Sequence, residues 1–217
     1  MIIPTSRGDI RALLDLPDNA QWLYIFAHGA GAGMQHAFME AAATALNDRG
    51  IATLRYDYPY MSAGSRRPDR APVLETNTRD VVTFAAETWP ALRIAAGGKS
   101  MGGRMTSRAQ ASDPLPRVEA LVFVGFPLHP PGKPSIERAE HLASVDIPML
   151  FLQGTRDDLA HLELIRGVTD ELGPRATLHI VEGADHGFAV LKRSGRTGPE
   201  VLDELADTTA AFLEGLR

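Results

Sequence analysis

From Trp22 onward, short apolar runs alternate with amphipathic stretches, and few folds accommodate a chain built that way. The runs at 22–27, 51–56, 118–124, 149–152 and 176–181, and one that starts at Ile94, are short and nearly continuous in apolar residues. That is the pattern of strands buried on both faces. Between them, the stretches 36–49, 73–88, 101–111, 162–172 and 199–216 read as helices. In the first of these, Phe38, Met39, Ala42, Ala45 and Leu46 share one face, and Gly50 is placed to end the helix. The alternation predicts an α/β fold with a mostly parallel central sheet of about seven to eight strands and helices on both faces. Two short strands, 2–3 and 10–14, flank the turn Ser6-Arg7-Gly8-Asp9. No repeat, linker or composition shift divides the chain, so residues 1–217 are expected to form one domain.

In such a sheet, the loops that follow the carboxyl ends of the strands line one crevice. Here those loops open at His28, Tyr58, Ser100, Phe126, Asp157 and His186. Reactive side chains are thus expected along a single edge before any motif is considered.

One of these loops carries a motif. The apolar run from Ile94 stops at Gly97-Gly98, and Lys99-Ser100-Met101-Gly102-Gly103 follows. Gly98 to Gly102 matches G-x-S-x-G, which makes a nucleophile elbow when it lies between a strand and a helix. Glycines flank the serine because the turn is too tight for a neighbouring Cβ. The pattern alone is weak: roughly one chain in ten or twenty of this length would contain it by chance. Its partners must carry the argument.

Acyl transfer by serine needs a nucleophile, a base, an acid that orients the base, and donors for the oxyanion. Ser100 is the candidate nucleophile, Asp157 the acid and His186 the base, and the order Ser…Asp…His is the one an elbow enzyme uses. Asp157 fits the Gly-x-x-Asp offset from Gly154 better than Asp158 does. Asp185, adjacent to His186, is better suited to bonding its own turn. The N–H of Met101 and that of Ala30, in the turn His28-Gly29-Ala30-Gly31, are the expected oxyanion donors. His28 is expected to hold that turn.

With these residues in place, the chain resembles the α/β-hydrolase fold over nearly its full length. The matching segments are His28-Gly29-Ala30-Gly31, Gly98-Lys99-Ser100-Met101-Gly102, Gly154-Thr155-Arg156-Asp157 and Asp185-His186-Gly187-Phe188. Among such enzymes it is similar to the small, lidless, dienelactone-hydrolase-like group. It is closer still to uncharacterised hydrolase-like proteins that carry Arg66-Arg67-Pro68-Asp69 and the proline-rich segment Pro127 to Pro134. The resemblance implies a serine hydrolase, an esterase or thioesterase, that needs no cofactor or metal. Dienelactone hydrolases proper use a cysteine nucleophile. This chain has no cysteine, so their particular reaction is not implied.

Other classes fit less well. A phosphate-binding P-loop ending at Gly98-Lys99-Ser100 would need a glycine where Arg93 stands. A dinucleotide fingerprint at Gly29-Ala30-Gly31 would need its third glycine at Met34. A catalytically inactive interaction module of the same fold is the other alternative. The net charge of −5, with no long basic stripe, argues against nucleic acid as partner. No apolar run reaches the ~18 residues that a membrane span requires. With no export signal apparent and no cysteine, the expectation is a cytoplasmic protein, monomeric or a small homo-oligomer.

The substrate is expected to be a small acyl compound. A lid would be inserted between residues 126 and 146, and that segment has room for one short helix, 136–142, and no more. Arg66, Arg67 and His129, all on loops of the active edge, are candidate substrate contacts, the two arginines for an anionic group.

Overall fold

The structure, a computed structural model, describes residues 1–216. Eight strands form its sheet: β1 (Ile2–Ile3), β2 (Ile10–Asp15), β3 (Trp22–Ala27), β4 (Ile51–Tyr56), β5 (Arg93–Lys99), β6 (Val118–Val124), β7 (Met149–Arg156) and β8 (Ala176–Asp185). Their order is β1-β2-β4-β3-β5-β6-β7-β8. β2 runs antiparallel to β1 and β4, and every other neighbouring pair is parallel. Among the described residues, six α-helices accompany the strands: α1 (Ala37–Asn47), α2 (Pro59–Ser62), α3 (Ala71–Thr88), α4 (Met101–Ser112), α5 (Leu162–Leu172) and α6 (Gly198–Gly215).

Central β3 shows why the sheet is buried on both faces. All six of its residues are buried. Leu23, Ile25 and Ala27 point into one core, while Trp22, Tyr24 and Phe26 point into the other, as the two-residue period of a strand requires. The first core is covered by α3, α4 and α5 through Leu74, Val81, Met105, Ala109, Ile165 and Leu172. The second is covered by α1 and α6 through Met39, Leu46, Val201, Leu205 and Leu213. Burying one such side chain contributes roughly 1.5–3 kcal/mol.

The strand order places the crevice. From β3 the chain crosses to β4 on one side, then returns past β3 to β5 on the other. At that reversal the loops leaving β3 and β5 diverge, and ligands bind where they part. Ala27 and Gly98 are register partners at the carboxyl ends of these strands, so the His28 turn and Ser100 emerge side by side.

The elements differ from the sequence reading in three places. The stretch 58–72, read as loop, contains α2 and the start of α3. Pro72 lies in the first turn of α3, where its missing N–H is no loss. Strands β7 and β8 run on to Arg156 and Asp185, past the expected ends at Leu152 and Val181, with a register shift between Gly154 and Arg156. A Cβ on Gly154 would lie 2.3 Å from the Ala184 carbonyl oxygen, so only glycine lets the two strand ends close together there. Between residues 126 and 146, the expected short helix is a 3-10 helix, Glu137–Ser144. It buries Ala139 and Leu142 in the core beneath α4.

Candidate active site

Ser100 lies at the junction of β5 and α4, with φ 52° and ψ −116°. A side chain rarely tolerates positive φ, and holding one there costs on the order of 1–3 kcal/mol. The surroundings impose it. A Cβ on Gly98 would lie 2.2 Å from the Ala27 carbonyl oxygen, and one on Gly102 2.5 Å from the same atom. The elbow therefore packs its backbone directly on the end of β3.

Ser100 Oγ lies 2.8 Å from His186 Nε2. His186 Nδ1 lies 2.7 Å from Asp157 Oδ2. The Asp157 side chain is fully buried, and that of His186 is 24% exposed. Asp157 Oδ2 also accepts a hydrogen bond from Gln153 Nε2 at 2.5 Å, and Oδ1 accepts one from the Leu159 N–H at 2.8 Å. A carboxylate held this way can accept the imidazole Nδ1–H in one orientation. His186 itself rides on a tight loop. Asp185 Oδ1 accepts the N–H groups of Gly187 and Ala189, at 2.8 and 3.0 Å. Asp158 is exposed and makes none of these contacts.

Beside Ser100 lies the turn 28–31. His28 is buried between it and α2, with Nδ1 2.7 Å from the Gly29 carbonyl oxygen and Nε2 accepting the Tyr58 N–H at 3.2 Å. These partners require the neutral tautomer with the proton on Nδ1, and burial lowers the imidazole pKa in the same sense. The Gly31 N–H is taken by the Tyr60 hydroxyl at 3.1 Å. Among the described residues, the N–H groups of Ala30 and Met101 have no acceptor. A Cβ on Gly29 would lie 3.8 Å from Ser100 Cβ, which measures how closely the turn approaches the elbow.

In the sequence, Lys99 stands at the variable position of the elbow motif, with no role of its own assigned at the site. Its Nζ donates to the His186 carbonyl oxygen at 2.6 Å and lies 5.4 Å and 5.8 Å from the ring centres of Phe188 and Phe38. Burial pushes its pKa down from 10.5 to about 8, against a raising influence from Asp157 and Asp185. The only sequence signal for this position was a charged residue on a strand otherwise apolar or glycine after Arg93. Gln153 had a similar signal, a polar residue continuing a buried run.

Ser100, His186 and Lys99 open into a cleft of about 290 Å³ that is otherwise lined by Gly29, Ala30, Ala32, His36, Phe38, Met39, Leu159 and Gly187. Larger hollows of about 360 and 420 Å³ lie elsewhere, one at the start of β3 and β5 and one beside α5. Neither contains Ser100 or its partners, so size does not locate the chemistry here.

Of the other expected contacts, Arg66 and Arg67 are exposed and lie outside the cleft lining. Arg66 approaches the site through its backbone: a Cβ on Gly31 would lie 3.1 Å from its carbonyl oxygen. His129 is also outside the cleft and fully buried. Its Nδ1 lies 3.0 Å from the Pro130 carbonyl oxygen, and its Nε2 accepts the His161 N–H at 3.3 Å. Nδ1 thus bonds within its own loop and Nε2 ties that loop to the start of α5, so neither nitrogen is left for a substrate.

This fold and site define an α/β protein with a serine elbow. The chain matches the family described as "Alpha/beta hydrolase domain" over residues 20–214, and it belongs to that family. Its backbone is similar to a serine hydrolase without lid from Xanthomonas campestris, at 18% identity and TM-score 0.77, covering 98% of this chain and 93% of that one. It is also similar to dienelactone hydrolase from Anabaena variabilis, at 22% identity and TM-score 0.78, covering 100% and 97%. Est1E from Butyrivibrio proteoclasticus, solved with ferulic acid bound, is similar at 20% identity and TM-score 0.74, covering 97% and 99%. Among the described residues, no helix is long and apolar enough to cross a membrane.

Proposed function

We propose that the protein is a serine hydrolase acting on small, soluble carboxylic esters or thioesters through an acyl-enzyme at Ser100. The observation that carries this reading is the continuous hydrogen-bonded chain from Ser100 Oγ through His186 to Asp157, at 2.8 and 2.7 Å, on a serine held at positive φ. Family membership and the esterase-like backbone neighbours support it.

In this mechanism, Ser100 Oγ attacks the substrate carbonyl as His186 Nε2 takes its proton. Asp157 keeps the proton on Nδ1 before the transfer and stabilises the imidazolium after it. The carbonyl oxygen becomes an oxyanion and accepts from the N–H groups of Met101 and Ala30. The start of α4 lies under the same point and favours negative charge. The intermediate then collapses, the bond to the alcohol or thiol breaks, and Nε2 returns its proton to that leaving group. Water repeats the cycle on the acyl-enzyme, releasing the acid and restoring Ser100.

The test is labelling by a fluorophosphonate, followed by mass analysis of the modified peptide. Wild type should be labelled on Ser100 and should hydrolyse 4-nitrophenyl acetate. Ser100→Ala should stay folded, resist labelling, and lose hydrolysis by three or more orders of magnitude. Full activity in that variant would exclude the mechanism.

A further inference from the structure

Lys99 is a cation inside the cleft, and among the described residues no carboxylate is in contact with its ammonium. It makes no ion pair among the described residues, and one backbone carbonyl is its hydrogen-bond acceptor. An ammonium offers three donors, so two stay uncommitted. Around it, the groups carrying or able to carry charge include Asp157 after β7, and Asp185 and His186 at the end of β8, and His36 lines the same cleft. Asp157 already serves His186 and Gln153, and Asp185 serves the N–H groups of its own loop. From the other sides, Phe38 and Phe188 present ring faces to the ammonium. A desolvated ammonium with one neutral acceptor gains much from a further, negative one.

The geometry points to Lys99 as the residue that selects substrate, by taking a carboxylate that the acyl group carries a few bonds from its scissile carbonyl. The spacing follows from the contacts. Lys99 Nζ touches the carbonyl of His186, whose ring touches Ser100 Oγ, so the ammonium stands no farther from the attacking oxygen than one histidine and two hydrogen bonds. Short dicarboxylic acids esterified at one end fit within that span, and Phe38, Met39 and Leu159 would pack their methylene groups. A bound carboxylate has a second effect. It offsets the opposition of the ammonium to a positive charge on His186, so the preference should appear in kcat as well as KM.

This assignment rests on the hydrolytic reading of Ser100, and the experiment separates the two. The substrates are 4-nitrophenyl hemisuccinate and 4-nitrophenyl butyrate, similar in length and different in charge, with spontaneous hydrolysis subtracted. Wild type should favour the hemisuccinate. The ratio of kcat/KM values, anionic over neutral, should fall at least ten-fold in Lys99→Met and in Lys99→Gln, and recover in Lys99→Arg. Equal losses on both esters would overturn the assignment and leave Lys99 as a clamp on His186. A ratio that falls in Arg66→Ala/Arg67→Ala but not in the Lys99 variants would overturn it as well. Succinate binding to Ser100→Ala, by calorimetry, gives the readout independent of turnover. Affinity should drop at least ten-fold when Lys99→Met is added. That result without any esterase activity in wild type would keep the anion site and remove the hydrolase. Hydrolysis with no dependence on Lys99 would do the reverse.

Discussion

Gln153 and His186 donate to the same oxygen of Asp157, at 2.5 and 2.7 Å. Gln153 lies within β7 and joins two loops, because its Oε1 also accepts the Phe126 N–H at 3.1 Å. One amide therefore fixes both the candidate acid and the loop after β6. Gln153→Leu should lower kcat by about ten- to a hundred-fold, with a smaller change in KM, because the carboxylate loses the bond that aims it. Gln153→Glu should be worse at neutral pH, since it sets a second carboxylate against Asp157 in a buried site. Steady-state kinetics with 4-nitrophenyl acetate check both variants. A Gln153→Leu enzyme with wild-type kcat would show that Asp157 is aimed by its loop alone.

Asp157→Asn should abolish most turnover, while Asp158→Asn should stay within about two-fold of wild type. The asparagine amide would present a donor where His186 Nδ1–H needs an acceptor, which favours the wrong tautomer. Asp158 is exposed and reaches neither His186 nor the cleft. Comparing kcat/KM for the two variants decides which aspartate serves the imidazole. Similar losses in both would reassign that role.

How much of this site could be read in the sequence depended on what fixes each side chain. Ser100, Asp157 and His186 follow strands, and strand alternation alone brings strand ends to one edge. The turn at Ala30 is placed by the same logic. Arg66, Arg67 and His129 sit well inside loops, where direction is set by packing that no periodicity encodes. His129 has both ring nitrogens taken by backbone groups, and Arg66 offers the site only its main chain. Lys99 was overlooked for the opposite reason. It occupies a position that the elbow pattern leaves open, and its environment comes from Phe38, Phe188 and His186, all distant in sequence.

His141 gives the fold an acid-sensitive point away from the cleft. It lies on the 3-10 helix Glu137–Ser144, with Nε2 2.7 Å from Ser107 Oγ on α4. Burial pushes its pKa down from 6.5 to about 4, and Arg108 and Arg104 push the same way. Between those two values the unfolded chain binds a proton that the folded chain refuses. Stability therefore rises with pH across that window and falls as pH drops from about 6.5 towards 4. His141→Gln removes the titrating group and keeps a polar partner for Ser107. Urea midpoints at pH 7 and pH 4.5 should converge in that variant relative to wild type. An unaltered difference between the two pH values would place the acid sensitivity elsewhere.

Acyl chain length is the last quantity that the geometry constrains. The cleft holds about 290 Å³, at the small end of the range for ligand sites. A long acyl chain would need apolar surface above Ser100, and the segment 126–146 is where a covering element would arise. That segment is committed to another place. Phe126, Leu128, Ala139 and Leu142 are buried in the core, His129 is tied to the start of α5, and His141 is bonded to α4. Lifting it over the cleft would expose those side chains at roughly 1.5–3 kcal/mol for each large one, so it is a fixed wall. Its prolines stiffen it further. In a series of 4-nitrophenyl esters from acetate to dodecanoate, kcat/KM should peak at two to four carbons and fall at least ten-fold by twelve. Detergent or lipid interfaces should give no activation. A maximum at long chains, or a jump in rate at the micellar threshold, would mean that the 126–146 segment opens and closes after all.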